Sequence, residues 1–235
     1  MEHFQSHDLS SHHTRTTHTQ GGTPQSTAAG VAAGVLLQAV LAAPFLFAAP
    51  WSYASRAFEF SRVFLHTWTV NLKFLPPDVF QSKALAVLLL GGHLTLLGLL
   101  ASTKWFPSAR DALASVHSWW RRASSPSKTP KILAPAYVLY TIFTGNFAGI
   151  VCARTLHFQF YSWYFHTLPL LLWCTPLPTT ARLGLWAAVE VVWNVFPSRA
   201  WSSLLLVAAH GALLMGLLWG AAPASTSKKT PTKRN

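Results

Sequence analysis

Apolar residues in this chain fall in long blocks and do not alternate with polar ones. Val31–Ala49 reads VAAGVLLQAVLAAPFLFAA and Ser203–Ala222 reads SLLLVAAHGALLMGLLWGAA. A helix that crosses a bilayer needs about 20 mostly apolar residues, and both blocks are long enough. The pattern predicts six such spans, at 29–49, 83–103, 135–153, 160–175, 182–197 and 201–220. The third, fourth and fifth are short and contain Gly or Pro, so tilt or breakage is expected of the fourth and fifth. The fold class is therefore an all-α polytopic membrane protein with about six transmembrane helices.

One segment between spans carries a different pattern. In Ser55–Trp68, SRAFEFSRVFLHTW, helical spacing places Phe60, Val63, Phe64, Thr67 and Trp68 on one face. Arg56, Glu59, Arg62 and His66 take the other face. This predicts a helix lying in the membrane interface, apolar side towards lipid. It should end in FLPPDVF (Phe74–Phe80), where Pro76 and Pro77 interrupt helical hydrogen bonding.

Composition agrees: 51% of residues are hydrophobic and only 10% charged, against about 25% charged in an average soluble domain. The net charge of +12 is carried by loops and tail, so it does not point to a nucleic-acid partner. Lys104, Arg110, Arg121, Arg122, Lys128 and Lys131 lie in one loop with Asp111, and Lys228, Lys229, Lys233 and Arg234 lie in the tail. Six spans put that loop and both termini on one side, which the positive-inside rule makes cytosolic. Segments 50–82, 154–159 and 197–200 then face the lumen. Residues 1–27 are polar, hold five histidines and are expected to be a disordered tail, without the pattern of a cleaved signal peptide. Residues 28–222 form the transmembrane domain and 223–235 a basic tail. Cys152 and Cys174 fall near opposite membrane faces, so no disulfide is expected between them.

Two places could carry chemistry. Glu190 lies inside an apolar span, where a charge costs roughly 3 kcal/mol on insertion scales. With Trp186 and Asn194 it forms one helical stripe, which could border a substrate cavity or clasp a hydroxyl on another helix. The second place is HFQFYSWYFHTLPLLLW, residues 157–173. On a helix, His157, Tyr161 and Tyr164 share one side, and Gln159, Ser162 and His166 another. Such aromatics could be an interfacial belt. With Arg154 at the same depth they could equally hold a lipid phosphate and stack against a sugar. No P-loop, glycine fingerprint, HExxH or nucleophile elbow occurs, so cofactor chemistry has no footing.

Three stretches, Ser55–Lys83, Phe143–Trp173 and Glu190–Ser198 (EVVWNVFPS), resemble dolichyl-phosphate-mannose-dependent alpha-1,3-mannosyltransferases of the endoplasmic reticulum. The resemblance covers residues from about 30 to 222 and leaves 1–27 unmatched. It implies a partial GT-C fold in a multi-pass membrane protein with a lumenal site, no metal and inversion at the sugar carbon. It also implies dolichyl-phosphate mannose as donor and the lipid-linked oligosaccharide Man(5)GlcNAc(2)-PP-dolichol as acceptor, the substrates of a step towards N-glycosylation. The matched stretches look like the C-terminal half of such an enzyme, and no acidic T-E-I-D-W-like motif is present in this sequence. The chain is thus expected to be a fragment, its catalytic base unassigned, that could assemble with a separate N-terminal half. On this reading the candidate substrate-binding residues are Glu59, Arg62, Asn71, Arg154, His157, Gln159, Tyr161, Trp163, His166, Glu190 and Asn194. The competing reading is a non-catalytic membrane module, or a transporter-like protein that binds lipid.

Overall fold

The structure, a computed structural model, describes residues 24–59, 65–106 and 133–225, with residues 108, 110, 111, 113, 114 and 117 between them. Residues 1–23 of the tail expected at 1–27, most of the basic loop and the residues after 225 lie outside the described residues, while 24–27 belong to the first helix. Among those described, every regular element is helical. They are α1 (Pro24–Ala48), α2 (Pro50–Ala57), α3 (Pro77–Gln81), α4 (Lys83–Leu100), α5 (Pro135–Cys152), α6 (Leu168–Trp173), α7 (Thr179–Trp193) and α8 (Ala200–Trp219). Proline opens α2, α3 and α5, where its missing N–H costs no helical bond. Ser82 starts α4 by accepting the Leu85 N–H at 3.1 Å.

Among the described residues, four helices are long and apolar enough to cross a membrane: Thr27–Ala48, Lys83–Trp105, Pro135–Cys152 and Ala200–Trp219. They match the first, second, third and sixth expected spans. The stretch expected as a fourth span, 160–175, is not one helix. It forms 3-10 turns at Phe158–Trp163 and Phe165–Thr167, followed by the six residues of α6. Pro169 suits the start of α6, because proline is tolerated in the first turn of a helix, where its missing N–H costs no helical bond. The fifth is a single helix of 15 residues, Thr179–Trp193, which begins before the expected 182 and ends about one turn short of the expected 197. At about 1.5 Å per residue it is roughly 22 Å long.

The expected interfacial helix over 55–68 is also corrected. A helix does lie there, but it starts at Pro50 and stops at Ala57. His66–Trp68 is a separate 3-10 turn, and Arg62, Phe60, Val63 and Phe64 lie outside the described residues. Nothing in the structure explains the stop at Ala57.

The core lies between α5, α6, α7 and α8, around Phe147, Leu171, Val192, Leu206, Leu213 and Leu217. Helix α4 joins it through Leu96 and Leu100, which pack with Ala148 of α5. Helix α1 makes its main contacts with α2, and Val35, Leu36, Val40 and Phe47 along it are exposed.

Two ends of the bundle gather separate loops. At one end Val70 N–H donates to the Leu156 carbonyl at 2.7 Å, and Ser198 Oγ donates to the Thr69 carbonyl at 2.6 Å. These are the three segments expected on one membrane face. At the other end Lys104 Nζ donates to the Gly220 carbonyl at 2.6 Å, and Ala134 N–H donates to the Ser225 carbonyl at 3.0 Å. Residues 158–174 and α7 therefore run from one end to the other and back, broken and short as they are.

The second end is closed by glycines. A Cβ on Gly216 would sit 2.9 Å from Thr175 Cγ2, and one on Gly220 would sit 2.4 Å from the Cys174 carbonyl. Gly98 has nothing within 4 Å of such an atom. Gly220→Ala is therefore expected to destabilise by about 2 kcal/mol, since the clash is with backbone. Gly98→Ala should be neutral or slightly stabilising through helix propensity. Thermal unfolding of the two variants in detergent checks the contrast; equal midpoints would show that the loop does not press on α8.

Candidate functional site

The site grows from the turn that follows the His66–Trp68 segment. Leu72 takes a φ of 50°, the left-handed region that costs a branched side chain energy. The turn is held there by its neighbours. Lys73 N–H donates to Ser203 Oγ at 2.8 Å. Asn71 is buried and uses both ends of its amide. Its Nδ2 donates to the Ala153 carbonyl. Its Oδ1 accepts from Leu156 N–H at 2.8 Å and from Thr69 Oγ1 at 2.9 Å. Asn71, a candidate ligand in the sequence, is thus occupied in joining the turn to segment 153–156.

The same seam presents cations. His157 Nδ1 is 3.0 Å from the Trp68 carbonyl. A carbonyl only accepts, so Nδ1 carries a proton and Nε2 is left as the outward nitrogen. Lys73 Nζ donates to the His66 and Thr67 carbonyls at 2.7 and 2.8 Å, which leaves one of its three N–H bonds. Burial lowers its pKa from the ordinary lysine value. Arg154 is half-buried three residues before His157. Sequence reasoning missed Lys73, and the only signal for it was a lone lysine in an aromatic loop.

Beyond His157 the chain forms an aromatic wall. Phe158, Gln159, Tyr161, Ser162 and Phe165 line an open groove of about 510 Å³. Because the backbone is 3-10 and not α, the expected grouping of side chains changes. Ser162 Oγ donates to the Gln159 carbonyl at 2.7 Å. Trp163 is exposed with its ring 4.5 Å from Phe160. His166 turns to Phe143 and Phe165. Trp163 and His166 therefore lie outside the groove lining, while Gln159 and Tyr161 are in it.

Tyr161 ties the wall to α7. Its hydroxyl donates to Glu190 Oε1, and its ring stacks on Trp193 at 5.2 Å and 16°. The hydroxyl that could clasp Glu190 is thus found, and it belongs to the aromatic stretch itself. Asn194 is exposed and bonds the Glu190 carbonyl at 2.8 Å, capping α7. Glu59 stands apart, paired with Arg56 at 3.2 Å in an exposed contact. Sequence reasoning also missed Trp193 and His210; a lone histidine inside the apolar run of α8 was the available signal.

The family model for the ALG3 protein matches residues 15–203. The chain belongs to the ALG3 family. The family match starts inside the polar tail, upstream of the boundary near residue 30 expected from the motifs. Among curated relatives, the Dol-P-Man:Man(5)GlcNAc(2)-PP-Dol alpha-1,3-mannosyltransferase of Arabidopsis thaliana is 43% identical over 194 residues, 80% of this chain and 44% of that protein. The protein of the same name from Homo sapiens is 42% identical over 197 residues, 83% of this chain and 44% of its own length. A probable one from Dictyostelium discoideum is 41% identical over 182 residues, 77% of this chain and 40% of its own length. This ALG3-family chain spans less than half the length of the relatives it matches. No solved structure matches it.

Asn71 offers a direct check on how the ALG3-family seam is held. Asn71→Leu strands the Ala153 carbonyl and the Leu156 N–H, while the Thr69 hydroxyl keeps the Asn71 backbone carbonyl at 2.8 Å, and should cost about 3 kcal/mol. The expected result is a lower unfolding midpoint in detergent with faster proteolysis between residues 65 and 75. An unchanged midpoint would mean that the turn is not clamped through Asn71.

Proposed function

We propose that this chain takes part in transferring mannose from dolichyl-phosphate mannose to Man(5)GlcNAc(2)-PP-dolichol in alpha-1,3 linkage. The observation that carries the proposal is 42–43% identity, over about 80% of the chain, to proteins with that printed name. The setting is the endoplasmic reticulum membrane, crossed six times in a partial GT-C arrangement, with the site on the lumenal side and both termini cytosolic. The two short passes, residues 158–174 and α7, supply the fourth and fifth crossings. The polar tails at 1–27 and 223–235 lie outside that membrane domain.

Within this reading the seam holds the donor's phosphate and the wall holds its sugar. Arg154 faces the phosphate together with the remaining N–H of Lys73, and His157 contributes an Nε2–H there when its ring is doubly protonated. The rings of Phe158, Tyr161 and Phe165 offer flat apolar faces to a pyranose, and Gln159 and Ser162 offer hydrogen bonds. In transfer with inversion, an acceptor hydroxyl oxygen attacks the mannose anomeric carbon from the face opposite the phosphate. The carbon–oxygen bond to phosphate breaks, its electron pair leaves on the phosphate, and the hydroxyl proton passes to a base. A cation beside the phosphate stabilises the charge that develops there. The base belongs to the portion of the relatives that this chain does not span, and that portion is the partner the proposal requires.

Two outcomes test the proposal. Made in a complete family enzyme at the matching positions, Arg154→Ala and His157→Ala should weaken donor use about tenfold or more, a loss of a charged hydrogen bond. Phe158→Leu should do less. Equal kinetics for all three would reduce the stretch to a membrane belt. Membranes holding these 235 residues alone, given labelled donor and acceptor, should show little or no transfer. Full transfer by the chain alone would show that it needs no second portion.

A further inference from the structure

We infer that His210 and Tyr164, neither of which lines the groove, are positioning residues that set the sugar-facing ring of Tyr161. The inference rests on the reading of the groove as a sugar-binding wall. Trp193 Nε1 donates to Tyr164 Oη at 2.7 Å, and Tyr164 Oη lies 2.9 Å from His210 Nε2. All three side chains are buried, with 5%, 0% and 4% of their surface exposed.

The direction of each bond follows from the chemistry of the groups. An indole N–H can only donate, so it takes a lone pair of the Tyr164 oxygen. The phenol's own proton then needs an acceptor, and His210 Nε2 is the one in reach. His210 therefore keeps its ring proton on Nδ1 and offers a bare Nε2. Phe147 closes the other side of the pair, edge-on to the His210 ring at 5.3 Å. A buried network of this kind stabilises only when every member is satisfied, and an all-apolar side-chain set would pack these helices without it. What the network adds is orientation.

That orientation is handed to the groove in two steps. The bond to Tyr164 fixes the rotation of the Trp193 indole, and the face of that indole is the platform on which Tyr161 stacks. Tyr161 is then locked at its far end by Glu190, one turn before Trp193 on the same helix. With the platform turned, Tyr161 cannot keep both its stack and its bond to Glu190. A residue in α8 thereby governs a ring at the groove, without contact to anything bound there.

The test uses the 235-residue chain in lipid nanodiscs, with dolichyl-phosphate mannose and sugar-free dolichyl phosphate as probes. The quantity read is the ratio of the two affinities, which reports contact with the sugar alone. His210→Leu and Tyr164→Phe should lower the preference for the mannosylated lipid about tenfold, the scale of one lost hydrogen bond. Both should leave affinity for the sugar-free lipid unchanged. His210→Gln, whose amide oxygen still accepts from Tyr164, should restore the preference. If His210→Leu does not fold, Tyr164→Phe decides by the same ratio, because it removes one oxygen and leaves the ring in place. An unchanged ratio overturns the inference, and so does an equal loss of affinity for both lipids, which is what a purely structural role gives. A wild-type chain without any preference for the mannosylated lipid would instead overturn the sugar-wall reading itself.

Discussion

The amide of Asn71 is the joint on which one end of the bundle depends. One side chain satisfies a carbonyl at Ala153, an N–H at Leu156 and a hydroxyl at Thr69. Backbone that is not helical carries polar groups that must be satisfied where water is scarce. Here the turn after Trp68 and the strand-like segment before His157 satisfy each other through that residue. The turn then brings Lys73 to Ser203 at the start of α8, and Thr69 to Ser198 in the loop between α7 and α8. The cations of the seam and the aromatics of the wall are neighbours because that joint closes.

From the joint, a second layer of polar contacts enters the apolar core. Tyr161 and Tyr164, three residues apart, face different partners because the 3-10 turn ends at Trp163 and Tyr164 leaves it with φ −142° and ψ −11°. Tyr161 reaches Glu190, while Tyr164 reaches Trp193 and His210. The core around them is otherwise Leu, Val and Phe, so these bonds decide how the segment sits between α7 and α8. The carboxylate of Glu190 is tolerated in an apolar helix because a phenol from the broken pass meets it.

Hydrophobic pattern made the long helices legible: α1, α4, α5 and α8 lie where runs of apolar residues put them. It also marked Glu190 and the stretch from His157 as exceptional. It failed over residues 158–173. Leu168–Trp173 is as apolar as any span, but Pro169 falls in the first turn of a helix of only six residues, and the aromatics before it form 3-10 turns. The face assignments made for an α-helix could not survive that change, so the groove's membership was not readable. Asn71, Trp193 and His210 are ordinary letters in the sequence. Their roles come from contacts spanning from 29 to 85 residues along the chain, which no local pattern encodes.

The 15-residue helix α7 has a further consequence for the lipid around it. A hydrocarbon layer is about 30 Å thick, and a helix roughly 22 Å long cannot match it without distortion. With α7 as a crossing, as proposed, bordering lipids would compress and draw their headgroups inward where Glu190 and Asn194 end the helix. A polyprenyl phosphate arriving from the bilayer would find its headgroup plane already lowered there. On that reading the short helix would dimple the membrane, and the turns that α7 lacks would set the depth at which a lipid-borne sugar meets the wall.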